Sequence, residues 1–210
     1  CHPNNPLGCP LSRGDIEALV EAVRGSTTLV VSDEAYFEFS SGVSFLPYLA
    51  LLPNLVIIRS LSKSFALSGA RVGYAIAAPF VVKRIEQLML PWPVAHPSAA
   101  AALTLLAQAD KVEERRTIVL AARDHFAEML SSISGVVVYP SKTNFVLVRV
   151  AHASRVRDEL LEQNIRVALG EPMSHFPEAK ALLKDTLRIA VPAPRDLPDF
   201  ITVLSGLFTR

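Results

Sequence analysis

The chain has 210 residues, half of them hydrophobic, and a formal net charge of +1. That is enough apolar material for one large or two small cored domains, and too little charge of either sign to argue for nucleic acid or an anionic membrane as partner. No apolar run approaches the roughly 18 residues of a bilayer span, and Cys1 and Cys9 form neither a disulfide framework nor a zinc spacing, which suits a reducing, cytoplasmic compartment.

Residues 1–8, with two asparagines and two prolines, read as a turn-rich loop. Ser12 opens a helix whose apolar positions are Ile16, Leu19, Val20 and Val23, and Gly25 closes it. Leu29-Val30-Val31 is a short buried strand that ends at Ser32-Asp33; an all-apolar strand suits a parallel sheet covered on both faces. Residues 37–53 read as loop and a short helix packing through Phe45, Leu46, Leu49 and Leu52. Strand Leu55–Ile58, a polar loop and strand Val72–Ala77 follow, and Pro79 starts a helix that runs to about Leu90.

The segment Pro91 to Pro97, with three prolines, is expected to break regular structure and to mark the hinge between domains. Ser98 is expected to cap an apolar helix, Ala99 to about Ala107. A long helix from about Lys111 to Ser134 carries Ile118, Ala122, Phe126 and Leu130 on one face and ends at Gly135. Strands Val136–Tyr139 and Phe145–Val150, helix Ser154–Gln163, strand Ile165–Leu169, a short helix near Glu178–Leu183, strand Leu187–Val191 and helix Leu197–Phe208 complete the chain. The first part alternates α and β; the second reads as a smaller α+β unit with a mostly antiparallel sheet.

The loop between the second and third strands carries the chemistry. Lys63 stands among Ser60, Ser62, Ser64 and Ser68, between Arg59 and Arg71. A lysine near another cation at the rim of an apolar core can lose its proton near neutral pH, as a Schiff-base lysine must. Hydroxyls with an arginine suit a phosphate. Alone, the loop also fits a solvated connection. Asp33 is at the C-terminal end of a buried strand, where ligands of α/β sheets bind, and it also fits a turn cap. Arg188 lies on an apolar strand where an unpaired charge is costly; its planar fork matches a carboxylate, although an edge arginine facing water fits too. The five histidines show no metal spacing.

The pattern Ser-x-Ser-Lys-(x)7-Arg-x-Gly-Tyr resembles the cofactor-lysine segment of fold-type I pyridoxal-phosphate aminotransferases of class I/II. Two further segments fit in order, His2-Pro3-Asn4-Asn5-Pro6-Leu7-Gly8 and Ser32-Asp33-Glu34-Ala35-Tyr36, with a fourth at Thr186 to Val191. The subfamily most similar in general look is histidinol-phosphate aminotransferase, with threonine-phosphate decarboxylase second. The resemblance implies an α/β fold: residues 1–92 as the remainder of a three-layer, cofactor-binding large domain, and residues 93–210 as a smaller α+β C-terminal domain. It implies pyridoxal 5′-phosphate as cofactor and a homodimer that moves an amino group between an L-amino acid, or a histidinol-phosphate-like amine, and a 2-oxo acid. Decarboxylation of a phosphorylated amino acid, or an incomplete fragment with an interaction role, are the alternatives. In that frame Lys63 bonds the cofactor and moves protons, and Asp33 pairs with the pyridine nitrogen. Tyr36 and Asn5 reach the phenolic oxygen, Ser60, Ser62 and Arg71 hold the phosphate, and Arg188 takes the substrate's α-carboxylate. The chain opens inside a motif, so on the order of one domain is expected before residue 1. It departs from the pattern at His2 and Leu7, and at Ala168, where histidinol-phosphate enzymes commonly carry an arginine. Arg166, two residues earlier on the expected strand, would share that face.

Overall fold

The computed structural model describes residues 1–40 and 42–208. By internal contacts the chain divides into two compact units. The first comprises Cys1–Pro3 and Pro10–Arg116; the second comprises Asn4–Cys9 and the chain from Thr117 onward.

The first unit begins with helix α1 (Arg13–Val23). Ser12 caps it: its hydroxyl accepts from the Asp15 amide at 3.1 Å, and the Asp15 carboxylate accepts from the Ser12 amide at 2.9 Å. This reciprocal pair satisfies two of the amides that a helix start leaves open. Strand β1 (Val30–Asp33) runs parallel to β2 (Leu55–Ser60), and β3 (Gly73–Ala77) pairs antiparallel on the other side of β2. Side chains alternate across the sheet. Leu55 and Ile57 point to one face, where Ile16 and Val20 of α1 meet them together with Phe45 and Leu52. Val31 and Ile58, on the opposite face, are exposed. Helix α2 (Pro79–Leu88) starts on a proline, and α3 (His96–Leu106) packs against the turn at Ser68–Ala70.

Helix α4 (Ala109–Ser131) crosses the division between the units. The second unit holds the antiparallel sheet β4–β5–β7–β6: Val136–Tyr139, Phe145–Val150, Thr186–Ala190 and Ala168–Leu169. Val146, Val148 and Val150 of β5 share a core with Leu187 and Ile189 of β7, with Phe126 and Leu130 of α4, and with residues of α5 (Ala153–Glu162) and α7 (Leu197–Gly206). Phe126 meets Phe200 edge-on at 5.3 Å between ring centres, a favoured aromatic geometry. A short helix, α6 (Pro177–Leu182), precedes β7. Among the described residues no helix is long and apolar enough to cross a membrane, and both cysteines are free.

The sheets are mixed in the first unit and antiparallel in the second, as expected for a partial α/β domain followed by an α+β one. Several details differ. The contact division falls after Arg116, whereas the expected hinge would divide the chain after residue 92, because α3 packs on the first unit. Pro97 does not break structure; it occupies the first turn of α3, where its missing N–H costs nothing. Residues 37–53 hold two 3₁₀ turns, Phe37–Phe39 and Leu46–Tyr48, with Leu46 exposed; Ser41, in the same stretch, is outside the described residues. Ile118 is 52% exposed, while Ala122, Phe126 and Leu130 are buried, so Ile118 is not part of the buried face of α4 that the pattern implied. The strand expected at Ile165–Leu169 is confined to Ala168–Leu169, so strand alternation does not put Arg166 on the face of Ala168.

Truncating Phe126→Ala is expected to lower the unfolding free energy by about 3–5 kcal/mol, while Ile118→Ala is expected to stay within about 0.5 kcal/mol. Urea unfolding of the purified protein, followed by far-ultraviolet circular dichroism, measures both.

Candidate functional site

Parallel pairing makes β1 and β2 finish at the same end of the sheet. Asp33 stands opposite Ile58, two residues before Ser60, and the Glu34 amide extends the ladder to the Ile58 carbonyl at 2.8 Å. Ile58 and Ser60 alternate onto one face, so Asp33 and Ser60 share it. The Asp33 Oδ1 accepts the Ala35 amide at 3.0 Å, an Asx turn that reverses the chain. Asp33 therefore does serve as a turn cap, with one oxygen committed to that bond. The turn brings Tyr36, 6% exposed, back over the sheet end. The Lys63 Nζ lies 5.5 Å from the centre of the Tyr36 ring, in cation–π range. Lys63 is half-buried and makes no ion pair among the described residues.

The lysine loop is closed by its own backbone. The Leu61 amide donates to the Val72 carbonyl and the Ala66 amide to the Lys63 carbonyl, both at 3.1 Å. The Ser60 hydroxyl accepts from the Ser62 amide at 3.1 Å. Arg71 has left-handed backbone (φ 56°), is exposed, and donates from Nη1 to the Ser68 carbonyl at 2.9 Å, which is a loop contact rather than an ion pair. Gly73 follows of necessity: a Cβ there would meet the Arg59 carbonyl oxygen at 2.7 Å.

Beneath this loop lies a network that the sequence motifs did not single out. Glu34 is fully buried. Its carboxylate accepts from Arg59 Nε (3.1 Å) and Nη2 (2.8 Å), from the Phe45 amide (2.9 Å) and from the Ser44 hydroxyl (2.9 Å). The Arg59 guanidinium stacks 4.3 Å from the Phe37 ring centre and reaches Glu38 at 3.9 Å. Burial holds the Glu38 carboxyl above the usual carboxylate range; its own backbone amide, Arg59 and the neighbouring Ser64 hydroxyl pull the other way, and the Glu34 charge adds to the rise. The available signal was period-2 alternation: Glu34 and Arg59 each sit one residue from a candidate site residue, on the opposite face. His2 is equally structural. It is buried, its Nδ1 accepts the Leu11 amide at 2.9 Å, and its Nε2 reaches the Val43 carbonyl at 2.6 Å.

Asn5 and Arg188 belong to the second unit. Asn5 is exposed and lines a cavity of about 530 Å³ with Tyr139, Leu147, Arg149 and Phe176. Arg188 stands opposite Leu147 on β5 and Ala168 on β6, and its guanidinium lies 4.0 Å over the Phe145 ring centre. It is not an edge arginine facing water: β7 is paired on both sides. Arg166 is exposed beside Arg157 and Ile165.

The donor set at the end of β1 and β2 is an amine, a carboxylate, two hydroxyls and a nearby guanidinium. It fits a group that carries an aldehyde, a basic ring nitrogen and a phosphate, and a lysine without an ion-pair partner is suited to condense with the aldehyde. The set stands at the carboxyl ends of parallel strands in an α/β protein, the end of the sheet at which ligands of this fold class bind. The chain belongs to the aminotransferase class I and II family, whose model matches residues 1–201. It is 36% identical over 201 residues to a histidinol-phosphate aminotransferase of Caldanaerobacter subterraneus subsp. tengcongensis, covering 96% of this chain and 54% of that protein. It is 36% identical over 209 residues to one of Stenotrophomonas maltophilia, covering 98% and 55%. The chain thus spans about half the length of these relatives. Among solved structures it is similar to the histidinol-phosphate aminotransferase of Clostridium acetobutylicum (TM-score 0.89, 24% identity, 99% of this chain and 62% of that one). It is also similar to an L-threonine-O-3-phosphate decarboxylase of Porphyromonas gingivalis (TM-score 0.82, 25% identity, 100% and 63%).

Glu38 generates a pH prediction. A carboxyl whose pKa is raised on folding holds more protons in the folded than in the unfolded protein, so stability falls as pH rises from the ordinary value of 4.5 towards the folded one. Glu38→Gln is expected to flatten this part of the pH–stability curve, measured as melting temperature between pH 4 and pH 8 (roughly the carboxylate-to-neutral window).

Proposed function

We propose that the protein acts as a pyridoxal 5′-phosphate-dependent aminotransferase, moving an amino group between an L-amino acid, or a histidinol-phosphate-like amine, and a 2-oxo acid such as 2-oxoglutarate. The observation that carries the reading is Lys63, which has no ion-pair partner among the described residues and lies 5.5 Å from the centre of the Tyr36 ring. Family membership and relatives named histidinol-phosphate aminotransferase support it. A similar solved structure, the histidinol-phosphate aminotransferase of Sinorhizobium meliloti, is a complex with pyridoxal-5′-phosphate. A homodimer in the cytoplasm, acting in histidine biosynthesis, belongs to the same proposal.

The cofactor supplies an electron sink for charge that develops at the substrate's Cα. Asp33 holds a proton on the ring nitrogen through its carboxylate. Ser60, Ser62 and Arg71 hold the phosphate. Lys63 would move the proton between the substrate's Cα and the cofactor's C4′, as general base and then acid. Tyr36 orients the ring by hydrogen bonding to its phenolic oxygen. Asn5 and Arg188 take their roles from the motifs: Asn5 as the second donor to that oxygen, Arg188 as the two-pronged partner of the substrate's carboxylate.

Incubation of the purified protein with the cofactor is expected to produce a visible or near-ultraviolet absorption band that borohydride fixes onto Lys63. Lys63→Ala is expected to abolish both signals and to lower kcat by about 10²–10⁴-fold or more. Arg188→Lys, which loses the fork, is expected to raise KM for 2-oxoglutarate, which carries the α-carboxylate, about tenfold or more at near-constant kcat, since a charged hydrogen bond contributes about 1.5–3 kcal/mol. With histidinol phosphate and 2-oxoglutarate the product is glutamate. Carbon dioxide from a phosphorylated amino acid, with no glutamate formed, would instead assign the decarboxylase reaction, which the similarity to the Porphyromonas gingivalis structure also fits.

A further inference from the structure

We infer that the buried pair Glu34–Arg59 is a positioning clamp: it sets the separation between the end of β1, which carries Asp33, and the end of β2, which carries Ser60 and leads to Lys63. This rests on the cofactor reading above and goes beyond it, because neither residue belongs to the assigned binding set.

The two residues flank the set in sequence and turn away from it in space. Glu34 follows Asp33 and Arg59 precedes Ser60. Alternation puts Arg59 on the core face with Leu55 and Ile57, and leaves Asp33 and Ser60 on the other face. The Glu34 carboxylate receives two hydrogen bonds from the one guanidinium, so the pair has a fixed relative orientation and not only a charge attraction. The remaining lone pairs are filled by the Ser44 hydroxyl and the Phe45 amide, which fastens the clamp to the segment after Tyr36. Arg59 is held from its flat side by Phe37. Three pieces of chain are therefore tied to one carboxylate: the β1 end, the segment at Ser44–Phe45, and the strand entering the lysine loop.

A pair that served only the core would tolerate loss of its charge without altering the ligand face. A clamp would not: a small change in the gap between Asp33 and Ser60 misplaces the groups that must hold the ring nitrogen and the phosphate at once. The residues to change are Glu34→Gln, which keeps size and most hydrogen bonds, Arg59→Lys, which keeps charge but loses the fork, and Arg59→Met, which loses both. The milder Ser44→Ala removes one bond to Glu34 and serves if Glu34→Gln does not fold.

The test is equilibrium titration of the purified protein, stripped of cofactor, with pyridoxal 5′-phosphate. It is read by absorption and tryptophan fluorescence, alongside the melting temperature of the cofactor-free form and the pH midpoint of the bound cofactor's absorption band. The clamp predicts a rise in Kd of about tenfold or more for Glu34→Gln and Arg59→Met and a displaced pH midpoint. It also predicts a double variant no worse than the poorer single one and partial recovery with Arg59→Lys. Unchanged Kd and pH midpoint in variants that only melt earlier would overturn it, leaving a pair that merely stabilises the core. If the unaltered protein takes up no cofactor at Lys63, the cofactor reading itself fails, a result distinct from wild-type binding that the variants leave intact.

Discussion

Parallel strands that start together also stop together, and the pairing of β1 with β2 is the constraint on which the candidate site depends. The register of Asp33 with Ile58 puts a carboxylate and the entrance to the lysine loop at one end of the sheet, although about thirty positions separate them in the chain. An antiparallel pairing of the same two segments would send them to opposite ends. The register is in turn held by burial. Leu55 and Ile57 are fully buried against Ile16, Phe45 and Leu52, and a slip of one residue would turn them out of that core.

The first sheet divides its labour between faces. One face is apolar towards its base and ends in a buried ion pair, Glu34 with Arg59, in which both carboxylate oxygens accept from protein groups. Removing one partner of such a pair leaves a charge without its counter-ion, which typically costs about 3–5 kcal/mol. The other face carries Asp33 and Ser60. The close approach of β3 to β2 at Gly73, where even a methyl group would strike the Arg59 carbonyl, keeps the far end of the lysine loop tight against the strand.

The second sheet shows the same economy with different residues. Val146, Val148 and Val150 bury one side of β5 under α4, α5 and α7, while Phe145 and Leu147 occupy the other. Arg188 emerges on that second side from between two paired strands, its charge laid against the Phe145 ring.

Strand identities, the capped first helix and the lysine loop were legible because short-range rules govern them: apolar runs, Ser12 followed by Asp15, and serines around Lys63. The family was legible because four motifs occur in order. Boundaries were less so. The first turn of α3 absorbs Pro97, Ile118 turns to solvent, and most of the stretch before Leu169 is not strand, since tertiary packing decides where a periodic pattern begins and ends. The sequence by itself determined which side chains with the right chemistry are present and which short segments carry them. Only the tertiary structure decided that Tyr36 lies over Lys63, that Glu34 closes on Arg59, and that Arg188 rests on Phe145. Those contacts join residues 25 to 43 positions apart, and strand register, which no local rule encodes, is what brings them within reach.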